Sequence, residues 1–157
     1  MNTTNAMRIL MKANIPFDTA EYSVDASDLS GVHAAHMMGL DPDCVFKTLV
    51  ARGDKKGISV FCIPVAEELD LKKCAAVTGD KRIEMIPVKE LLGLTGYIRG
   101  GCSPVGMKKK YPTWIDESAI LNDRIYVSAG LRGQQIIIAP DDLRQCVGAE
   151  YADLTKR

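Results

Sequence analysis

Two apolar runs around a glycine-bounded turn constrain this chain more than anything else in it. Val45-Phe46-Lys47-Thr48-Leu49-Val50 lies between Pro42-Asp43 and Gly53-Asp54. A short run of β-branched, aromatic and aliphatic residues with such borders reads as a β-strand. Ile58 to Val65 is a second run of the same kind, and Gly53-Asp54-Lys55-Lys56-Gly57 between them is turn-forming. The pair therefore reads as a β-hairpin. Side chains alternate across a strand, so Val45, Lys47, Leu49 and Ala51 take one face and Phe46, Thr48 and Val50 the other. Both faces are apolar, which calls for cover on both sides of the sheet.

Lys47 is the exception in that strand. Burying an unpaired ammonium is costly, and such a group finds an anion or loses its proton. Lys47 is then either a ligand for a negatively charged substrate or a catalytic amine. The competing reading is a strand-end lysine that snorkels to water along its own methylenes. On this stretch alone snorkelling carries the greater weight, because a displaced charge points to function only statistically.

Around the hairpin, helices and strands mix without a strict βαβ rhythm. Met7, Leu10 and Met11 recur at helical spacing over residues 6–13, with Asn2, Thr3 or Thr4 available to cap the helix and Asn14-Ile15-Pro16 to end it. Phe17 to Val24 reads as a strand, Val32 to Leu40 as a short helix, and Leu69 to Thr78 as a helix closed by Gly79. Lys81 to Ile86 reads as a short strand and Pro87 to Leu92 as a helix, interrupted by Gly93 and Gly96 before an extended Tyr97-Ile98-Arg99. Thr113 to Asp116, Arg124 to Ser128 and Gln135 to Ala139 read as strands, and Pro140-Asp141-Asp142 opens a last helix to Val147. The expectation is one domain over residues 1–157, of α/β class, with a mixed sheet curled around a core.

Composition narrows the chemistry. Lys+Arg and Asp+Glu both number 20 in 157 residues, so net charge points to no polyanion, although Lys108-Lys109-Lys110 is a local basic run. The five cysteines are odd in number and none has CxxC spacing, which argues against a disulfide framework or a zinc ribbon. No window reaches the about 18 apolar residues of a membrane span, and no signal segment opens the chain. A cytoplasmic protein is expected. His33 and His36 share a helix face but have no acidic or thiol partner at motif spacing, so no metal is expected.

GxSxG, HExxH, P-loop and GxGxxG motifs are all absent. What remains is Gly100-Gly101-Cys102-Ser103-Pro104-Val105-Gly106, flanked by Arg99 and the lysine run. Such a loop is either an ordinary turn or a cradle that aims backbone N–H groups at an anion or polarised carbonyl. Cys102 could be a nucleophile only with a distant base, since no local signature supplies one. Lys47, the loop and the basic residues together suggest a site for a polarised carbonyl on a phosphate-bearing carrier.

Phe46-Lys47-Thr48-Leu49, Leu71-Lys72-Lys73, Thr95-Gly96-Tyr97, the loop from Gly100 to Gly106, Ile125-Tyr126-Val127-Ser128-Ala129-Gly130 and Arg132-Gly133 follow in this order along the chain. In that combination the sequence resembles the YbaK/EbsC family, stand-alone relatives of the editing domain inserted in bacterial prolyl-tRNA synthetases. The resemblance implies a curved, barrel-like mixed sheet surrounded by helices. It implies a trans-editing aminoacyl-tRNA deacylase, of hydrolase or lyase type, that clears Cys-tRNA(Pro). In that branch the substrate's thiol attacks its own ester, and no cofactor is used. Lys47 matches the family's main functional residue. By the same resemblance Tyr22, Phe46, Thr48, Gly100, Gly101, Cys102, Ser103, Pro104, Gly106, Arg132 and Gly133 bind substrate. The implied partners are the 3′ end of aminoacyl-tRNA and prolyl-tRNA synthetase. Cys102 stands where the family commonly has isoleucine, and Gln135 where YbaK proteins often carry an acid. Other branches clear alanyl or other small aminoacyl groups. A non-catalytic tRNA-binding module is the alternative of a different class.

Overall fold

The computed structural model describes residues 2–157; Met1 lies outside the described residues. The expected hairpin is its centre. Strand β2 (Phe46–Gly53) pairs antiparallel with β3 (Gly57–Pro64), with Lys47 opposite Ile63 and Thr48 opposite Cys62. The turn is held from outside by Asp80, whose Oδ1 accepts the N–H groups of Lys55 (2.9 Å) and Lys56 (2.8 Å). A side chain on Gly53 would collide with that carboxylate, which accounts for the glycine.

Three further strands extend the hairpin into a five-stranded sheet of order β4-β2-β3-β5-β8, with β4 at Ile83–Met85, β5 at Thr113–Asp116 and β8 at Glu150–Ala152. The β3–β5 and β5–β8 pairs are parallel, so the sheet is mixed. A second sheet of three strands has the order β1-β7-β6, with β1 at Asp18–Glu21, β6 at Ile125–Ser128 and β7 at Gln134–Ile138. One parallel bridge, Val45 to Tyr126, links the two sheets. The curved arrangement does not close into a barrel, because β2 and β6 part beyond that bridge.

Both faces of the large sheet are covered, as the hairpin's composition requires. Phe46 and Cys62 face a core shared with the small sheet (Ile125, Val127, Ile136, Ile138), with Met7 and Leu10 of α1 (Asn5–Lys12), and with Leu143 of α5 (Pro140–Val147). Ala51, Phe61 and Ile63 face a second cluster with Leu69, Cys74 and Leu154, on the side of α3 (Leu71–Thr78). Trp114 stacks on Phe61 there, ring centroids 5.7 Å apart.

The helices begin where their caps allow. Thr4 Oγ1 accepts the N–H of Met7 at 3.2 Å, and Ser30 Oγ accepts that of His33 at 3.2 Å to start α2 (Gly31–Met37). Asp70 caps α3, and Gly79 closes it in the left-handed region at φ 83°. Helix α4 (Val88–Thr95) corrects the sequence reading: it runs through Gly93 and stops at Gly96. Lone glycines are tolerated in a helix at a cost of about 1 kcal/mol. Tyr97-Ile98-Arg99 forms no strand, and β8 was not foreseen at all.

Candidate functional site

Where β2 and β6 separate, a cavity of about 390 Å³ opens. Its floor follows from the hairpin register. The N–H of Val65 donates to the C=O of Val45 at 2.9 Å, which makes Val45/Val65 a hydrogen-bonded pair. Antiparallel pairs alternate, so Lys47 and Leu49 also direct their main-chain groups to β3, while Phe46, Thr48 and Val50 direct theirs away from it. At one end that outward edge meets β6 at the Val45–Tyr126 bridge. At the other end the C=O of Val50 accepts the N–H of Ile86 at 3.3 Å, and β4 pairs from Ala51 onward. Between these two closures no strand among the described residues lies against β2, and this bare edge lines the cavity.

Other elements wall it in. Ser30 and Ala34 of the α2 region stand on one side, Met85, Ile86, Val88 and Leu91 on another, and Arg99, Gly100 and Cys102 on a third. Ser128 of β6 and Gln135 of β7, directly opposite each other in the ladder, close the back. Gln135 is only 6% exposed, and its Oε1 has no hydrogen-bond partner among the described residues.

Lys47 is half-buried at the cavity wall. Desolvation pulls its pKa below the usual lysine value, and the carboxylates of Glu68 and Glu67 counteract part of that. The ammonium is thus held without water's full support, available to a ligand's negative charge. Cys102 is buried and its thiol is pushed up to about 12, chiefly by desolvation. A thiol that stays protonated at neutral pH is a poor nucleophile.

Of the residues proposed from sequence, Tyr22, Phe46, Lys47, Thr48, Gly100 and Cys102 line this cavity. The others stand behind or beside it. Ser103 is fully buried and its Oγ accepts the N–H of Val105 at 3.2 Å, while Gly101 N–H donates to Ile98 O at 3.0 Å. Two of the loop's N–H groups are therefore engaged in holding the loop itself. Pro104 and Gly106 line a second cavity of about 250 Å³ beside the lysine run. Arg132 Nε donates to the C=O of Arg99 at 2.8 Å and clamps the loop from outside. Gly133, at φ 83°, lets β1 approach: its C=O accepts the N–H of Tyr22 at 3.0 Å, and an added Cβ would stand 2.9 Å from the Tyr22 oxygen. The lysine run serves helix ends in part, since Lys108 lies across Gly96 and Lys110 across Gly148, the glycines that close α4 and α5.

Sequence reasoning passed over Ser30 as a wall residue, and Met85, Ile86, Val88 and Leu91. Nothing in their local pattern separates a cavity wall from a core face. Among the described residues no group of three His, Cys, Asp or Glu side chains stands where it could hold a metal. His33 instead faces Asp28, Nδ1 to Oδ2 3.7 Å.

The chain has relatives by sequence and by fold. A protein of Enterococcus faecalis bearing the provisional name Cys-tRNA(Pro)/Cys-tRNA(Cys) deacylase EbsC is 43% identical, over 98% of this chain and 94% of its own length. Two solved structures share the fold. One, a provisional trans-editing enzyme for prolyl tRNA synthetase, is 24% identical with TM-score 0.82 and covers 99% of this chain and 100% of its own. The other, a hypothetical protein, is 19% identical with TM-score 0.86 and covers 95% and 97%. The profile of the aminoacyl-tRNA editing domain matches residues 29–146, the span that holds the bare edge, the loop and the Ser128–Gln135 pair, and the chain belongs to that family.

Proposed function

We propose that this protein is a trans-editing aminoacyl-tRNA deacylase acting on Cys-tRNA(Pro), and that residues 1–157 work as one unit. The observation that carries the reading is the half-buried Lys47 beside a cavity large enough for an aminoacyl group and part of its adenosine. The 43% identical relative named as a Cys-tRNA(Pro)/Cys-tRNA(Cys) deacylase supports the choice of substrate. Lys47 orients the ester through its ammonium. Tyr22, Phe46, Thr48, Gly100 and Cys102 contact the substrate, and Gly101, Ser103, Pro104, Gly106, Arg132 and Gly133 set the shape of the loop and strand that do so.

The buried Cys102 thiol argues for a nucleophile brought by the substrate. The cysteinyl sulfur bonds to the ester carbonyl carbon, the C–O bond to the terminal ribose breaks, and the thiol proton passes to the ribose oxygen. Water then opens the resulting thiolactone. Holding thiol and ester in one conformer supplies the rate, since well-oriented intramolecular attack gains many orders of magnitude over its bimolecular counterpart. Prolyl-tRNA synthetase, the source of the mischarged tRNA, is the proposed partner, and the cytoplasm the proposed site of action. Among the described residues no helix is long and apolar enough to cross a membrane.

Deacylation of Cys-, Ala- and Pro-tRNA(Pro) side by side with purified protein tests the reading. Release of cysteine fastest, and its loss in Lys47→Ala with an unchanged circular dichroism spectrum, is expected. Binding of tRNA without release of any amino acid would refute it.

A further inference from the structure

Thr48 is the middle residue of the bare edge, and its register assigns its main chain a direction. Its ladder partner is Cys62, and the hydrogen-bonded pairs of the hairpin are the odd-numbered residues of β2, as the Val65–Val45 bond fixes. The outward residues obey the same rule at each place where a partner exists. Val50 accepts from Ile86, and Val60, which faces Val50 across the hairpin, donates to Pro112 O at 2.9 Å. Thr48 alone has both its N–H and its C=O turned into the cavity with neither β4 nor β6 alongside. A donor and an acceptor exposed side by side on an extended residue match an amino-acid residue in extended form, with its own nitrogen and carbonyl.

We infer that the main chain of Thr48 holds the aminoacyl group as a one-residue antiparallel strand, its C=O accepting from the substrate's α-ammonium and its N–H donating to the ester carbonyl oxygen. This rests on the deacylase reading and deepens it. The Thr48 N–H then faces the oxygen that gains negative charge as the carbonyl carbon is attacked, where a fixed donor is most effective. The pairing also settles which way the amino-acid side chain points. Directly opposed residues of an antiparallel pair share a face, so the side chain lies with Phe46, Thr48 and Val50, the face on which Val50 packs with Cys102. Lys47 lies on the other face, away from the side chain. The unpartnered, buried Oε1 of Gln135 is a second sign that this cavity is built for a ligand with hydrogen-bond donors.

The tests separate this from the function itself. Replacing the amide at Thr48 by an ester, using the α-hydroxy analogue of threonine, removes the N–H and keeps the side chain. The variant should melt within a few degrees of the wild type, because that N–H has no ladder partner, while kcat/KM on Cys-tRNA(Pro) falls about a hundredfold. In the ¹⁵N-labelled wild type, the uncleavable 3′-alanylamino-3′-deoxyadenosine should shift the Thr48 amide proton downfield. Unchanged kcat/KM, an unfolded ester variant, or a Thr48 resonance that stays still while other cavity residues move would each overturn the inference. Should the wild type cleave no charged tRNA, the deacylase reading fails, and the Thr48 resonance still decides whether the edge binds an aminoacyl group.

Discussion

At the scale of single residues, Lys47 and Cys102 carry opposite expectations. The lowered pKa of Lys47 means that the unfolded chain binds more protons than the folded one between the folded value and the ordinary 10.5. Stability therefore rises with pH across that window, and at neutral pH the buried charge is a burden. Lys47→Met should raise Tm by a few degrees at pH 7, the difference shrinking as pH approaches 10.5, while deacylation is lost. Calorimetry across pH checks the first part, and a variant less stable than wild type at pH 7 contradicts it. Cys102, with its thiol near 12, should resist iodoacetamide at pH 8 in the folded protein. Cys102→Leu should depress kcat/KM for Cys-tRNA more than for Gly-tRNA, since it fills the side of the cavity given to the amino-acid side chain. A thousandfold loss in Cys102→Ala would instead make it a nucleophile.

At the scale of elements, the loop from Gly100 to Gly106 is held by Tyr97, whose hydroxyl donates to the C=O of Val105 at 2.5 Å and whose ring packs on Gly130. Tyr97→Phe leaves that carbonyl without its partner and should cost about 1 kcal/mol in urea denaturation. Gly130→Ala should cost more, because φ is 104° and the new methyl would stand 2.8 Å from the Tyr97 ring. These elements also show what a sequence reveals and what it hides. The hairpin, the covered faces of β2 and the anomaly of Lys47 were legible, because alternation and turn chemistry act over a few residues. The loop was legible as a feature, yet not its division: Gly100 and Cys102 face the site, Ser103 turns inward, and Pro104 and Gly106 belong to another cavity. That division depends on the distant Arg132 clamp and on Tyr97. β8 escaped notice because its pairing with β5 is parallel and long in range, and Gly93 misled because packing outweighs a single weak helix former.

At the scale of the whole molecule, the last residues tie the far edge of the large sheet. Asp116 is fully buried. Its Oδ1 accepts the N–H of Leu154 at 3.0 Å, and its Oδ2 accepts from Arg157 at 2.6 Å and from the Ser118 hydroxyl at 2.5 Å. Asp116→Ala strands these donors and should cost roughly 3 kcal/mol, measurable as a drop in the urea midpoint without a change in which amino acid is released. The gap between β2 and β6 has a consequence of a different sort. It is a measuring slot, stopped at one end by Tyr126 and at the other by Ile86. With the aminoacyl residue opposite Thr48, a group joined through its α-nitrogen runs toward the position opposite Leu49, directly before Ile86. N-acetyl-cysteinyl-tRNA should therefore be spared under conditions that empty Cys-tRNA, and equal cleavage of the two would show the slot to be open. A scavenger built this way can share a compartment with ribosomes and leave every growing chain attached.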